Sequence, residues 1–452
     1  MCPRQVRRFP SARGSILPIG LALLFLGAMV IVRQHSVGEL YSTKQRLTSA
    51  ADSAAYGAAI WQARVLNFHA YANRAILANE VAIAQAVTLV AWANYFNQFA
   101  NNADTLSPVI PYLGPFLHEA AQSVELMNAG VRLGAAAEVT ARNGWQQALR
   151  TSQDLLALST HHFALNSVAN EVARANDSRF FAWVLPGANV TVKTAHVDES
   201  GRHRFAQLVT DSLDPFVKGS RQTDIALPLP SGCLISARAQ ERTPWLRKRG
   251  GTVLSGDLSN WEGVDTLSFH MPVRRAIFIG RCTEVETPLG WGSNVTRNGA
   301  PAAAGIQNPD QTLWKNAKAN NLAARAQSVT NGYGGLISIR ELSARPADGS
   351  PSPVAQITVL ARSEVTDLRT SSQIGVGSGR LALPDQIGGN RLWAMASSEV
   401  YFQRPASAPK RLEYASLFNP YWQVRMVPTP AAQSLAAGVM VQADSTASRN
   451  LP

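Results

Sequence analysis

The clearest feature of the hydropathy pattern is one uncharged apolar run near the N-terminus. Residues Ser15–Val32 read SILPIGLALLFLGAMVIV and are bracketed by Arg13 and Arg33. With Gly14 the run has 19 residues, close to the ~20 that a helix needs to cross the hydrocarbon core of a bilayer. The pattern predicts a transmembrane helix over residues 14–33, preceded by a basic tail over residues 1–13.

A cleaved signal peptide is the alternative interpretation of this run. Such a peptide has a shorter apolar core and a small-x-small cleavage site after it, whereas Arg33, Gln34 and His35 follow here directly. Arginines precede the run at positions 4, 7, 8 and 13, and positive charge is retained on the cytoplasmic side of a membrane helix. We therefore expect a single-pass protein with a cytoplasmic N-terminus and an extracytoplasmic bulk.

Residues 34–184 have the composition of long helices. Leu40–Ala103 contains no proline, one glycine and many alanines, and alanine is the best helix former. Prolines and a glycine between Pro108 and Pro115 interrupt the pattern, and a second helical run, Phe116–Phe181, follows. The short connection favours an antiparallel pair. The sequence predicts a helical stalk or hairpin.

The stretch Val81–Ala103 carries no charge and has two interpretations. It is either a second transmembrane helix or a helix buried among other helices, within this chain or between copies in a homo-oligomer. Its polar side chains favour burial in protein, because uncompensated amides are costly in lipid. These side chains are Gln85, Thr88, Asn94, Asn97, Gln98, Asn101 and Asn102.

The amino-acid composition changes at about residue 185, where proline and glycine become frequent and short apolar runs alternate with turn residues. Runs such as Leu267–Phe269, Ile357–Leu360 and Val424–Val427 are typical of antiparallel strands. We predict an α+β fold, in which a mostly antiparallel β-rich distal domain over residues 185–427 follows the helices. The Ala-, Ser-, Pro- and Gln-rich end predicts a flexible tail over residues 428–452.

The charge balance adds little to this picture. The chain is 46% hydrophobic and 16% charged, with a formal net charge of +12. Its densest basic cluster, Arg242 with Arg247–Arg249, has one nearby aromatic residue, Trp245, and no nucleic-acid-binding motif. We therefore expect no nucleic-acid partner, and a solvated loop or contact with anionic lipid headgroups or cell-wall polymers explains the cluster equally well.

Two of the three cysteines, Cys233 and Cys282, lie in the β-like region, and Cys2 precedes the apolar run. In an extracytoplasmic compartment Cys233 and Cys282 are a natural disulfide pair. Two buried free thiols are the alternative, and the spacing of a zinc site is absent.

None of the apparent catalytic, cofactor or metal motifs has the residues that its chemistry needs. His118-Glu119 opens a zinc-protease pattern, but Gln122 stands where the second histidine is required. The neighbours His161 and His162 point to different sides of a helix. The glycines at 375, 377 and 379 lack the spacing of a phosphate-binding loop. The segment Asp444–Ser448 has the sequence pattern of a metal-ion-dependent adhesion site, but the more than one hundred further residues that a von Willebrand A-type domain needs do not follow it. We predict no catalytic, cofactor-binding or metal-binding residues.

Aromatic residues are dense near the C-terminus. Tyr414, Phe418, Tyr421 and Trp422 lie within nine positions. Core packing of a terminal strand is one explanation. A partner-contact patch is the other, because tyrosine and tryptophan are enriched in the energetic centres of interfaces.

The residues around the apolar run resemble the TadE/TadG-like proteins of the tight-adherence (Flp) pilus system. In that family an Arg-Gly pair opens the membrane helix, as Arg13-Gly14 does, and a leucine followed by an Ala-Ala-Asp-Ala-Ala-like stretch comes after it. Those places are occupied here by Leu47, Ala50, Ala51, Asp52, Ala54, Ala55 and Ala58. Ile19 stands where the pseudopilin branch has a glutamate, which favours the TadG branch and argues against processing after Gly14.

The resemblance implies a component of a bacterial pilus-assembly or secretion apparatus, held in the inner membrane, with the lipid bilayer and other envelope proteins as partners. It implies action through protein contacts and no enzymatic activity. An anchored envelope enzyme or a polysaccharide-binding module is the alternative, and it requires a pocket with converging carboxylates or a histidine–carboxylate pair.

Overall fold

The computed structural model describes residues 16–105, 114–187, 190–218, 221–230, 233, 243–274, 282–297, 316–343, 353–364, 391–404 and 415–449, with Pro353 and residues 444–449 described as backbone only. Tyr414, Arg242, the predicted basic tail at residues 1–13 and the glycines at 375, 377 and 379 lie outside these residues.

The described chain contains helices and strands in the order that the sequence predicts, helices first. The helices are α1 (Leu17–Asp104), α2 (Gly114–Leu158), α3 (His162–Asn176), α4 (Glu199–Ser212), α5 (Ala317–Arg325) and α6 (Ala431–Arg449). The strands are β1 (Phe181–Val184), β2 (Thr194–His196), β3 (Thr223–Ala226), β4 (Trp245–Leu254), β5 (Trp261–Arg274), β6 (Cys282–Val295), β7 (Ser328–Val329), β8 (Arg340–Leu342), β9 (Pro353–Glu364), β10 (Arg391–Phe402) and β11 (Trp422–Val427). The α+β class is thereby confirmed.

Helices α1 and α2 form an antiparallel hairpin. Helix α1 has 88 residues, and at ~1.5 Å per residue it is about 130 Å long. The buried residues of α2 recur mostly every seven positions, a spacing typical of coiled-coil packing. They are Gly114, Ala121, Asn128, Ala135, Val139, Gln146 and Gln153.

The strands form two larger sheets and one small one. Strands β1, β9, β10 and β11 pair in an antiparallel sheet in the order β1-β9-β10-β11. Strands β3 to β7 form the second sheet in chain order, antiparallel except for the parallel β6–β7 pair. Strands β2 and β8 pair separately. The predicted mostly antiparallel arrangement is confirmed.

Both larger sheets pack against α1 alongside the hairpin. The first hydrophobic core joins the α1 residues between Leu47 and Leu66 to α3 and the four-stranded sheet. The second joins the α1 residues between Ile76 and Val90 to α2, α4 and Trp261. The change from helices to strands comes close to the predicted boundary at residue 185, but the core packing crosses it. The division into a stalk and a distal domain stays a prediction.

The predicted flexible tail contains helix α6. Its residue Ala437 is only 4% exposed and packs on the side chains of Leu185 and Leu360. Trp183, Trp393 and Val441 complete this small cluster. This alanine-rich segment forms a helix that packs on an apolar surface of the four-stranded sheet, and the flexibility of the tail stays a prediction.

Candidate functional site

The N-terminal end of α1 exposes its large apolar side chains. Exposure ranges from 57% at Leu26 to 81% at Ile16. Among the residues that the structure describes, α1 is the one helix long and apolar enough to cross a membrane. Apolar patches of this extent mark contact with a membrane or a partner.

Farther along α1, an alanine face is buried completely. Leu47, Ala50, Ala51, Ala54, Ala55, Ala58 and Ala59 are all 0% exposed. Their spacing by three and four places them on one side of the helix. Because alanine has no bulk beyond Cβ, the helix comes close enough for Ser398 Oγ to donate to the Ala55 carbonyl at 2.7 Å. This segment therefore connects the membrane-length end rigidly to the four-stranded sheet.

Amide side chains of α1 hold the chain segments that pack beside it. Gln62 Nε2 donates to the Val190 carbonyl at 2.9 Å. The amide of Asn67 both donates to the carbonyl of Trp422 and accepts from its N–H, each at 3.0 Å. Such bonds contribute about 1 kcal/mol each and fix the register of strands on the helix.

The uncharged stretch Val81–Ala103 is likewise satisfied by a sheet. Thr88 Oγ1 lies 2.8 Å from Thr252 Oγ1, Asn94 Nδ2 donates to Ser328 Oγ at 2.7 Å, and Asn102 Nδ2 donates to the Leu289 carbonyl at 2.8 Å. In the structure this stretch is buried within the same chain, which was one of its two interpretations. Groups of the sheet bind these polar side chains, and helices α2 and α4 also pack on the same part of α1.

Three of the predicted partner-contact aromatics lie in the described part of the chain and pack against the fold. Trp422 is 3% exposed, and its ring lies 5.2 Å from that of Phe402. The half-buried Tyr421 ring lies 6.1 Å from Phe402, and Phe418 lies 6.4 Å from Phe205. This is the packing expected from the core interpretation. A partner contact through them stays a prediction.

A disulfide joins Cys233 and Cys282, the pair that the sequence predicts. Their Cα atoms are 6.0 Å apart, within the normal range for a disulfide. The bridge connects the buried Cys233 to the first residue of β6.

A charged cleft of about 510 Å³ opens where α2 ends and β2 pairs with β8. Asp154 Oδ1 accepts from Arg340 Nη1 at 3.1 Å and lies 2.7 Å from His196 Nε2. The ionisable residues that line the cleft are Arg150, Asp154, His161, Lys193, His196 and Arg340. The sequence singled out His161 alone, because the others come from three separate segments and no spacing connects them.

Other ionisable groups are buried with partners of their own. His270 is 2% exposed, contacts the Glu284 carboxylate and places Nε2 2.8 Å from Asn316 Oδ1. Glu80 is 0% exposed and accepts from the Tyr333 hydroxyl at 2.9 Å. Burial raises the pKa of Glu80 to about 7. In the described residues no group of three His, Cys, Asp or Glu side chains is placed to hold a metal ion.

Comparison with known proteins locates the similarity at the N-terminus. The family model described as Tad, putative Flp pilus-assembly TadE/G-like, matches residues 13–63. No curated protein and no solved structure matches the chain. The matched residues include the apolar end of α1 and the buried alanine face as far as Ala59. The predicted resemblance is confirmed: over residues 13–63 this chain is similar to the TadE/G-like proteins of Flp pilus assembly.

Proposed function

We propose that this chain is a TadG-like, membrane-anchored component of an Flp-type pilus-assembly or secretion apparatus and acts through protein contacts. The N-terminus lies in the cytoplasm, α1 crosses the bacterial inner membrane, and the sheets lie on the extracytoplasmic side. The observation that carries the proposal is the continuity of α1. One helix includes residues 17–63 of the family match, the exposed apolar end and the centre of the fold.

This continuity has a mechanical consequence. Leu47, the first residue of the buried alanine face, lies only 14 positions after Arg33. At ~1.5 Å per helical residue this is about 21 Å. A helix holds the folded part at a fixed height and orientation, whereas a flexible linker of the same length would not. Partner proteins in the envelope would then meet a surface at a defined distance from the membrane.

Piliation assays test the proposal. We expect deletion of the gene to abolish surface pili, and the full chain to restore them. Tyr41 is 73% exposed on the connecting part of α1, so Tyr41→Pro should break the helix there without removing a buried side chain. We expect Tyr41→Pro to be present in the membrane at normal levels yet to fail in restoring pili, and Tyr41→Ala to succeed. Normal pili in the deletion strain would refute the proposal.

We also propose that copies of the chain associate through the outer line of α2, by which we mean its exposed, uncharged side opposite α1. The line consists of Leu126, Gly130, Leu133, Ala137, Gly144, Ala148 and Leu155. Leu126 and Leu133 are 77% and 76% exposed. An added Cβ at Gly130 or Gly144 meets no atom within 4 Å. Each glycine costs about 1 kcal/mol of helix stability relative to alanine, and packing inside the described chain gives no reason for it.

A second copy is the occupant that we propose. Each copy has a formal net charge of +12, so a contact between copies meets the least repulsion where an uncharged surface faces its equivalent. Copies anchored in one membrane also present this line at the same height.

Cysteine cross-linking in membranes tests this association. In a Cys2→Ser background we expect Leu133→Cys to form disulfide-linked dimers on mild oxidation. The matched control is Arg132→Cys, an exposed neighbour on a different side of α2, which should remain monomeric. Equal cross-linking of the two variants, or none with Leu133→Cys, would exclude the outer line as the contact between copies.

A further inference from the structure

The cleft at the end of α2 contains positive charge that the described fold does not use. Arg150 lies one helical turn before Asp154, and Lys193 lies directly before β2. Within the described residues, neither side chain makes a hydrogen bond or an ion pair, although both line the cleft.

The single carboxylate of the cleft is already engaged. Asp154 Oδ1 is bound by Arg340 and lies against His196, so its charge is offset by the Arg340 guanidinium. With the histidines neutral, Arg150 and Lys193 leave a formal charge of +2. Cations that share a confined cleft repel each other and attract anions, and low-dielectric walls strengthen both effects.

A buried histidine next to the cleft adds no charge to it. His69 is 1% exposed and interacts electrostatically with Arg340 and Asp154. Its burial, and next the charge of Arg340, lower the pKa of His69 to about 4. The ring therefore stays neutral and adds no further charge.

We propose that this cleft binds a small ligand through a phosphate or carboxylate group, with Arg150 and Lys193 as the residues that contact the anion. Arg340 and His196 are positioned by Asp154 and complete the wall. A cleft of about 510 Å³ is in the usual range for small-ligand sites. Thr191 and Thr194 offer hydroxyl groups for the uncharged part of the ligand. This inference is independent of the pilus role, because it concerns binding by the purified chain.

Calorimetric titration of the full-length chain in a non-ionic detergent tests the proposal. The probes are inorganic phosphate and glucuronate, with glucose as the uncharged control. We expect saturable binding of at least one anion, weakening with added salt, and none of glucose. Tighter binding of phosphate would identify a phosphate-bearing ligand, and tighter binding of glucuronate an acidic sugar.

Two variants separate a binding role from a structural one. The Arg150→Gln/Lys193→Gln double variant should bind the anion at least about tenfold more weakly, because two charge-assisted hydrogen bonds are lost. Its unfolding temperature without anion should equal that of the wild type or exceed it, since repulsion in the cleft is relieved. Arg132→Gln removes an exposed charge from the same helix outside the cleft and should bind normally.

Two results would overturn the proposal. One is the absence of saturable binding of either anion at millimolar concentration. The other is unchanged affinity in the double variant, which would place the anion elsewhere. Pilus assays cannot produce either result, so failure of this inference and failure of the proposed function are distinguishable.

Discussion

At the scale of single residues, the fold contains a few ionisable groups in its interior, each held by named partners. Glu80 on α1 is the clearest example. Tyr333 and Trp261 direct an O–H and an N–H at its carboxylate, at 2.9 Å and 3.4 Å. Burial outweighs these bonds and raises the pKa of Glu80 from 4.5 to about 7. The Glu80 carboxylate connects α1 to β5 and to the segment before β8. Its protonation state therefore affects the stability of the centre of the fold.

We expect Glu80→Gln to remove a pH dependence of stability. Between pH 4.5 and about 7 the folded state binds more protons than the unfolded state, so stability falls as pH rises. The glutamine is neutral, and it can accept from Trp261 while donating to the Tyr333 oxygen. At pH 8 the variant should be more stable than the wild type by about 3 kcal/mol, and at pH 4 equally stable. Denaturant unfolding at both pH values measures this.

The exposed Glu125→Gln on α2 is the control for that prediction and should leave the pH dependence unchanged. A Glu80→Gln variant less stable than the wild type at pH 8 would mean that the charged carboxylate stabilises the fold.

A second buried group, Asp265, is expected to be costly to neutralise. It is 0% exposed, accepts from Arg221 Nε at 2.9 Å and contacts the Lys248 ammonium. Lys248 in turn lies 4.2 Å from the centre of the Tyr95 ring on α1. Asp265→Asn leaves two buried cations without a counter-charge, so we expect a loss of about 3–5 kcal/mol of unfolding free energy. Glu138→Gln, in an exposed pair with Arg142, should change stability by less than about 1 kcal/mol.

At the scale of elements, the close packing of α1 on the five-stranded sheet depends on glycines in the strands. A Cβ at Gly292 of β6 would lie 2.5 Å from the Ala91 carbonyl oxygen and 2.7 Å from Asn94 Cβ. A Cβ at Gly290 would lie 2.9 Å from Phe99 Cβ. Helix and strand backbones therefore meet directly, which brings the amides of α1 within reach of the strand carbonyls.

We expect Gly292→Ala to destabilise the protein by about 2–3 kcal/mol, because the added methyl group meets backbone atoms that cannot move aside. Gly256→Ala is the matched control. Its Cβ meets nothing within 4 Å, so the change should stay within about 0.5 kcal/mol. Thermal unfolding of both variants measures the difference, and equal stability would show that α1 is free to shift away from the sheet.

At the scale of the whole molecule, the disulfide is the covalent connection between distant parts of the chain. Cys233 and Cys282 are 49 residues apart. A cross-link over a loop of that length restricts the unfolded chain, which stabilises the folded state by about 4 kcal/mol in the chain-entropy model. It also favours an oxidising, extracytoplasmic location of the sheets.

Mass spectrometry of non-reduced protein from cell envelopes should detect a Cys233–Cys282 linked peptide. We expect Cys233→Ser and Cys282→Ser each to lower the unfolding free energy by about 4 kcal/mol, and the unfolding of both variants to be insensitive to reductant. Cys2→Ser should behave as the wild type. Free thiols at both positions in envelope material would contradict the prediction and the proposed orientation together.

Much of this organisation was predictable, and the failures have common causes. The amides of Val81–Ala103 excluded lipid correctly, because an unpaired amide is costly in any apolar surrounding. They could not reveal whether helices or a sheet would satisfy them. The C-terminal aromatics were ambiguous for the same reason. The local sequence around Trp422 is the same whether its ring packs on Phe402 of the same chain or on a partner protein. The packing of α6 on the four-stranded sheet through Ala437 has no signal in the local sequence of the tail.

Features that depend on neighbours along the chain could be predicted from it directly: the membrane-length apolar run, the helical hairpin, the antiparallel strands and the family-like segment at residues 13–63. These follow from local hydropathy and propensity, which act over one or two turns of helix. The tertiary structure adds that the two larger sheets share α1 as a common packing surface, that glycines on β6 admit it, and that Arg150, Lys193 and Arg340 meet in one cleft. Those features depend on contacts between residues more than forty positions apart, and the chain has no local signal for them.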